Sequence, residues 1–205
     1  MRSKPKAVSP PSEIRGKRVR LTPLQIENIH THFQWNNDPE LNRLDSELPF
    51  REERFGTFKR RFELMMQPTA MDVDLEIHEI DGPLIGVVYI SEISRHNRHC
   101  RVGLSIGDRD YWGRGFGREA LELVLAYCFD ELRMHRVAAE TFEFGTAWQN
   151  LVEGTGFHHE GVSREYLFRD GKYWDKHLYA MLATEYEARD VDEDEYLKPS
   201  APASS

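Results

Sequence analysis

Tyr111-Trp112-Gly113-Arg114-Gly115-Phe116-Gly117-Arg118-Glu119-Ala120 is the stretch that decides the fold of this chain. Its alternating glycines let the backbone turn sharply and come close to a ligand. Upstream, Arg101 to Ile106 alternates as a strand does. Downstream, Leu121, Leu125, Cys128 and Leu132 fall on one face of a helix predicted from Gly117 to Leu132. The N-terminus of such a helix offers free N–H groups and the positive end of its dipole, which together hold phosphate. Arg114 and Arg118 add charge of the right sign. Other readings compete. One is a plain structural turn. A P-loop needs Gly-Lys-Ser/Thr at its end, which is absent. A Rossmann fingerprint opens a parallel sheet and has an acidic residue about twenty positions on. Glu140 lies near that distance, but the segment follows hairpin strands instead of opening a parallel sheet.

Working outward, Val19 to Leu21 reads as a short strand. Thr22, Pro23 and Gln25 read as a capping box with proline at the first helical position, predicting a helix over 23–34. Asn36-Asn37-Asp38-Pro39 reads as loop, and Arg51 to Met66 as a second helix. Residues 73–80 alternate, Asp81-Gly82 marks a turn, and Leu84 to Ile90 follows as a more apolar strand. Val137 to Phe142 reads as a strand, and Thr146 to Gln149 as a second capping box opening a short helix. Residues 157–182 read as two long strands around a turn at Asp170-Gly171. The fold class is therefore α/β in the α+β sense, with a mixed, mostly antiparallel sheet flanked by helices.

The 27 basic and 35 acidic side chains leave a net charge of −8, which argues against a general nucleic-acid binder. Residues 1–20 carry seven basic side chains against one acidic, and 184–205 carry seven acidic against two basic. Both ends read as solvated tails, giving a domain over 15–183 between a flexible basic tail, 1–14, and an acidic, disordered one, 184–205. Two cysteines, Cys100 and Cys128, make no disulfide scaffold. No secretory signal and no apolar run of the roughly 18 residues that span a bilayer is found, so a cytoplasmic setting without membrane contact is expected. His96, His99 and Cys100 cluster in sequence. Neighbouring strand residues point to opposite faces, however, so no metal site is expected there.

The strand, the glycine segment and the helix together resemble the coenzyme A pyrophosphate loop of the GNAT N-acetyltransferases, written Gln/Arg-x-x-Gly-x-Gly/Ala. Further pieces resemble the RimJ/RimL branch of that family, which acetylates N-terminal amines of ribosomal proteins. They are Trp35-Asn36-Asn37-Asp38-Pro39-Glu40, Val102-Gly103-Leu104-Ser105-Ile106-Gly107, Gly156-Phe157-His158-His159-Glu160-Gly161, and Asp170-Gly171-Lys172-Tyr173-Trp174-Asp175 with Leu178-Tyr179-Ala180-Met181-Leu182. The resemblance spans residues 17–183. It implies a GNAT fold, with central strands splayed into a V that takes acetyl-CoA as co-substrate and no metal. By that resemblance the backbone of Leu104, Ser105 and Ile106 pairs with the pantetheine arm. The loop Trp112, Gly113, Arg114, Gly115, Phe116, Gly117 and Arg118 holds the pyrophosphate. The reaction is direct attack of a primary amine, small molecule or protein N-terminus, on the thioester. A strand N–H near Leu104 or Ser105 would steady the oxyanion.

The sequence also departs from the family. Trp112 stands at the Gln/Arg position of the loop. The family's Asn-x-x-Ser falls on Phe144 and Ala147, and its helix tyrosine, a common acid toward the thiolate, falls on Leu151. Asn150 and Trp148 are nearby and could substitute in binding the coenzyme, with a plain helix-surface residue as the competing reading of Asn150. Arg101 replaces the acidic residue usual before the central-strand glycine. Glu165, before Tyr166 on the penultimate strand, is the first candidate for the general base, ahead of Glu143, Glu92 and Glu140. A homodimer is expected by the same resemblance. The substitutions at 144, 147 and 151 motivate the alternative of an acyl-CoA-binding module with little activity.

Overall fold

The computed structural model describes residues 7–189. Its strands are β1 (Ile14–Arg15), β2 (Val19–Pro23), β3 (Val73–Glu79), β4 (Leu84–Ser94), β5 (His99–Ile106), β6 (Arg136–Phe142), β7 (His158–Arg169) and β8 (Lys172–Leu182). Its helices are α1 (Ile29–Asn36), α2 (Pro39–Asp45), α3 (Phe55–Met65), α4 (Phe116–Ala126), α5 (Thr146–Gly154) and α6 (Ala183–Glu187). The strands form one sheet in the order β1-β2-β3-β4-β5-β6-β8-β7. Every ladder is antiparallel except that between β5 and β6. The expected mixed, mostly antiparallel sheet flanked by helices is what forms.

The single parallel ladder is short. β5 and β6 pair only from His99↔Arg136 to Arg101↔Ala138, although β5 runs on to Ile106 and β6 to Phe142. Beyond that point β5 stays paired to β4 as far as Gly86↔Ile106, and β6 to β8 as far as Phe142↔Lys176. The two halves of the sheet remain internally bonded while they part from each other, and the parting is the V. One edge of β5 from Val102 onward thus has no strand partner, so its backbone groups are open to a ligand.

The two faces of the sheet differ. On one, α4 buries Leu121, Val124 and Leu125, and the π-helical turn after it Cys128, against Leu21, Leu75, Ile77, Val88, Ile90 and Val102. The four-residue apolar spacing read from the sequence is this face, with Val124 completing it and Leu132 partly buried beyond a widened final turn. On the other face, a smaller cluster of Leu24, Ile29, Phe58, Phe62 and Val87 seats α1 and α3. Between them lies a fully buried carboxylate, Glu76. It accepts hydrogen bonds from His32 Nε2 (2.9 Å), His78 Nε2 (2.9 Å), Asn28 Nδ2 (2.7 Å) and the Gln25 amide (3.0 Å). An ionised carboxylate only accepts, so both imidazoles present Nε2–H to it. Burial would raise the Glu76 pKa, but these bonds overcome it and hold the group near 2.

Several local expectations are corrected. Thr22 and Pro23 do not start a helix: they end β2, with Pro23 opposite Leu75. β1 pairs only with Leu21 and Arg20, so proline's missing N–H falls where no strand accepts it. Helical structure begins with a 3-10 turn at Ile26. The connection expected over Asn36 to Pro39 is present but shorter: α1 runs through Asn36; Asn37 and Asp38 link it to α2, and Pro39 already belongs to α2. Asp38 caps it, accepting from the amides of Glu40 (2.9 Å) and Leu41 (3.1 Å), with Pro39 at the first helical position. Thr146 caps nothing. Gly145 is the residue before α5, and Gln149 instead donates to the carbonyls of Phe142 and Glu143. At the N-terminus, Val8 is buried in the main core and its amide donates to Thr69 O at 2.7 Å, so packing reaches into the segment read as a tail. At the other end, α6 and Arg189 follow β8, and Arg189 is paired with Glu122 at 2.9 Å. The acidic residues beyond lie outside the described part of the chain.

Candidate functional site

The V opens beside the glycine loop. Gly113 and Gly115 adopt φ of +66° and +84°, the left-handed region that side-chain-bearing residues avoid. Gly115 is the residue before α4, so no side chain caps the helix, and its first-turn N–H groups have no capping acceptor. With the dipole of an eleven-residue helix behind them, these groups suit a pyrophosphate. The unpaired edge of β5 suits an extended amide chain in the same way. The residues present therefore fit coenzyme A, which would supply the activated acyl group when bound.

The expected coenzyme residues come together around this corner. A Cβ at Gly117 would touch Leu104 Cδ2 at 3.5 Å, Ile106 Cγ1 at 3.7 Å and Leu151 Cδ2 at 3.7 Å. Leu104, Ile106 and Leu151 thus wall the start of α4, and Leu151, at the family's tyrosine position, offers no proton there. Trp112 is partly exposed and ties the loop to the end of β5 through Nε1–H to Ile106 O at 2.7 Å. Arg114 Nη1 donates to Asp110 O, and Arg118 Nη2 to Gly154 O at 3.0 Å, joining the loop helix to the end of α5. Phe116 is buried, edge-on to Tyr111. Asn150 is exposed on α5. Phe144 packs edge-on to Trp174, with the Arg43 guanidinium 4.4 Å from its ring centre, so this substitution fastens α2 to the last hairpin.

The Trp35 to Glu40 motif acquires a physical role. Gly107, where the loop leaves β5, lies so close under Trp35 that a Cβ would fall 2.1 Å from the indole. Arg109, two residues on, binds Asp38 and Glu40, each at 2.8 Å. The motif locks α1 and α2 to the beginning of the coenzyme loop.

The other wall of the V is polar. Residues alternate along β5, so Arg101, Gly103 and Ser105 face away from α4, toward α1 to α3. Arg101 sits at the apex and pairs with Glu92 (3.0 Å) and Glu140 (3.2 Å). Lys176, buried on β8, bridges Glu140 (2.8 Å) and Glu47 (2.7 Å), with Tyr166 stacked against its ammonium. Glu140 and Glu92 are thereby committed to ion pairs. Asp45, the last residue of α2, is not. It faces Ser105 and has no ion pair among the described residues. The residue is exposed to solvent. The protein packed around its carboxyl group pushes its pKa up to about 6, partly offset by the Ser105 hydroxyl. Asp74, opposite Tyr89 in the β3–β4 register, is likewise raised to about 6, first by burial and then by Asp72. Tyr89 in turn stands opposite Gly103 and is raised by burial and by both aspartates.

Glu165, the base expected from the sequence, stands on β7. It is exposed, with φ +51°, at the bulge where the β7–β8 register shifts between Ser163 and Leu167. Its amide donates to Asp175 Oδ1 at 2.7 Å, and its carboxylate makes no hydrogen bond or ion pair among the described residues. Its neighbour Tyr166 is the one that reaches the Lys176 cluster. Asp45 is not among the candidates expected from the sequence, where no helix is read starting at Pro39. The signal was present, since an Asp-Pro pair followed by Glu is also a helix start. No three His, Cys, Asp or Glu side chains among the described residues stand together as a metal site.

Residues 18–158 match the family model described as the acetyltransferase (GNAT) domain. The chain is 25% identical over 172 residues to the uncharacterized N-acetyltransferase p20 of Bacillus licheniformis, covering 83% of this chain and 96% of that one. It is 32% identical over 102 residues to the [ribosomal protein uS5]-alanine N-acetyltransferase of Escherichia coli, covering 49% and 52%. The crystal structure of spermidine N-acetyltransferase from Vibrio cholerae in complex with CoA and spermine superposes with a TM-score of 0.75 at 22% identity, over 82% of this chain and 98% of that one. That likeness is one of fold. GNAT acetyltransferases use acetyl-CoA, and a splayed sheet beside an uncapped helix N-terminus is the arrangement that use requires. The chain belongs to the GNAT acetyltransferases.

Proposed function

We propose that this protein transfers the acetyl group of acetyl-CoA to a primary amine by direct attack in a ternary complex, with a RimJ/RimL-like architecture. The observation that carries the reading is the β5–β6 ladder ending at Arg101↔Ala138, beside the uncapped start of α4. Backbone N–H groups of residues 113–118 would hold the pyrophosphate, and the free edge of Leu104, Ser105 and Ile106 the pantetheine arm. A β5 amide near Ser105 would steady the oxyanion. Leu151 leaves the thiolate to depart without a tyrosine acid.

An attacking amine must lose a proton. Asp45 is our assignment for the acceptor: it faces Ser105, carries no ion pair, and has a pKa near the working range of a general base. Glu165, expected on sequence grounds, is the rival. The acceptor wall carries carboxylates at 45, 47, 74, 92 and 140 against Arg101 and Lys176, which favours a cationic amine. The related uS5-alanine and spermidine enzymes bracket the class as a protein N-terminus or a small polyamine. A homodimer and a cytoplasmic setting, without nucleic-acid or membrane partners, remain part of the proposal.

The test is thiol release from acetyl-CoA with a panel of polyamines, small amines and N-terminal peptides. Turnover on at least one primary amine is expected. Tight coenzyme binding with no turnover across the panel would favour the acyl-CoA-binding module instead.

A further inference from the structure

The start of β2 reaches the glycine loop through a buried carboxylate. Glu119, in the first turn of α4, is 5% exposed. Its Oε1 accepts from the backbone N–H groups of Lys17 at 2.6 Å and Arg18 at 2.8 Å, with Val19 at 3.4 Å. A carboxylate this buried needs such donors, and it moulds the turn that supplies them. A Cβ at Gly16 would fall 2.4 Å from the same oxygen, so a side chain there would displace the carboxylate from its donors.

Held there, the Arg18 side chain lies along the loop. Its Nη1 donates to Arg114 O at 3.0 Å, and its guanidinium carbon stands 4.1 Å from the Phe116 ring centre. A Cβ at Gly115 would come within 3.3 Å of the same nitrogen. In a trans peptide the C=O and the following N–H point in opposite directions. Fixing the Arg114 carbonyl on Arg18 therefore turns the Gly115 N–H away from Arg18.

We propose that Arg18, set by Glu119, is a positioning residue for the phosphate loop: it fixes the Arg114–Gly115 peptide so that the Gly115 N–H is presented to the coenzyme's pyrophosphate, without touching the phosphate itself. The inference rests on the acetyl-CoA reading above. It also gives the motif's Glu119 a role outside the chemistry, as the anchor of β2 on α4.

Calorimetry of the full chain with coenzyme A and with 3′-dephospho-coenzyme A tests it, comparing wild type, Arg18→Ala, Arg18→Lys and Glu119→Gln. Arg18→Ala should weaken both ligands alike, by at least about fivefold, the scale of one lost charge-assisted hydrogen bond. Arg18→Lys, which keeps a donor, should recover part of the loss. Amide exchange over residues 114–117 should quicken in Arg18→Ala while the global melting point holds, which separates loop release from unfolding. Unchanged affinity in Arg18→Ala overturns the clamp. A loss confined to coenzyme A overturns it too, since Arg18 would then be touching the 3′-phosphate directly. Wild type binding neither ligand would sink the acetyl-CoA reading; wild-type binding with an indifferent Arg18→Ala sinks only the clamp.

Discussion

The two faces of the sheet are built from different materials. Under α4 the contacts are almost wholly apolar, from Val19 on β2 to Val137 on β6. Under α1 to α3 a small aromatic and aliphatic cluster shares the surface with Glu76, His32, His78, Asp74 and Asp45. The first face fixes where the coenzyme loop starts. The second holds the acceptor helices by hydrogen bonds and ion pairs, so it depends on pH and on single polar groups. A face held by packing tolerates substitution of similar volume. A face held by one buried carboxylate with four donors does not.

The largest expected effect breaks the polar face. Glu76→Ala leaves His32, His78, Asn28 and the Gln25 amide without their acceptor, and should cost about 3–5 kcal/mol by denaturant titration. The sign of the pH dependence follows from its depressed pKa, near 2 against an ordinary 4.5. The stabilisation is complete above about pH 4.5 and is lost as pH falls toward 2, on the order of 3 kcal/mol in all. A variant as stable as wild type at pH 7, with the same acid midpoint, would show the network to be incidental.

Asp45→Asn should lower kcat by about 100-fold at pH 7, within the range of general-base assistance, with KM for acetyl-CoA little changed. As the proposed base Asp45 would act as the carboxylate, which prevails above about pH 6, so wild-type rate should fall as pH drops through 6 and the variant should lose that limb. Glu165→Gln measured alongside decides between the two carboxylates. A full rate in Asp45→Asn with a collapse in Glu165→Gln returns the role to β7.

Removing residues 1–13 should sharpen the contrast from the apolar side. Val8 is 2% exposed, so its loss should cost about 1.5–3 kcal/mol and lower the melting temperature by several degrees. An unchanged melting point would mean that the segment is dispensable, as its composition suggested.

How legible each face is follows from its material. A glycine run before an apolar helix period is read directly, because both backbone freedom and periodicity are local properties. So α4 and the β3–β4 hairpin could be expected from residues 73–132, whereas the V-shaped site could be expected only from the family resemblance. The acceptor face could not. Asp38 and Pro39 serve loops and helix starts equally, and only the structure shows Asp38 capping α2 while Arg109 of the glycine-loop entry holds it. Pro23 prolonged β2 because β3 lay beside it, a tertiary fact. Val8, alone among prolines and serines, has no period to betray it. Glu119 reads as an ordinary helix-surface acid until the amides of residues 17–19 are seen around it.

We propose that the V beside the start of α4 binds the coenzyme through backbone N–H groups that only a glycine-built turn can present. Calorimetric titration of coenzyme A into wild type and Gly115→Val is the test. Valine at φ +84° is strained, and its side chain meets Arg18, so the turn must rearrange. At least a tenfold loss of affinity, about 1.4 kcal/mol, is expected in a variant whose circular dichroism matches wild type. Equal affinity in that folded variant would overturn the phosphate-loop role of the turn.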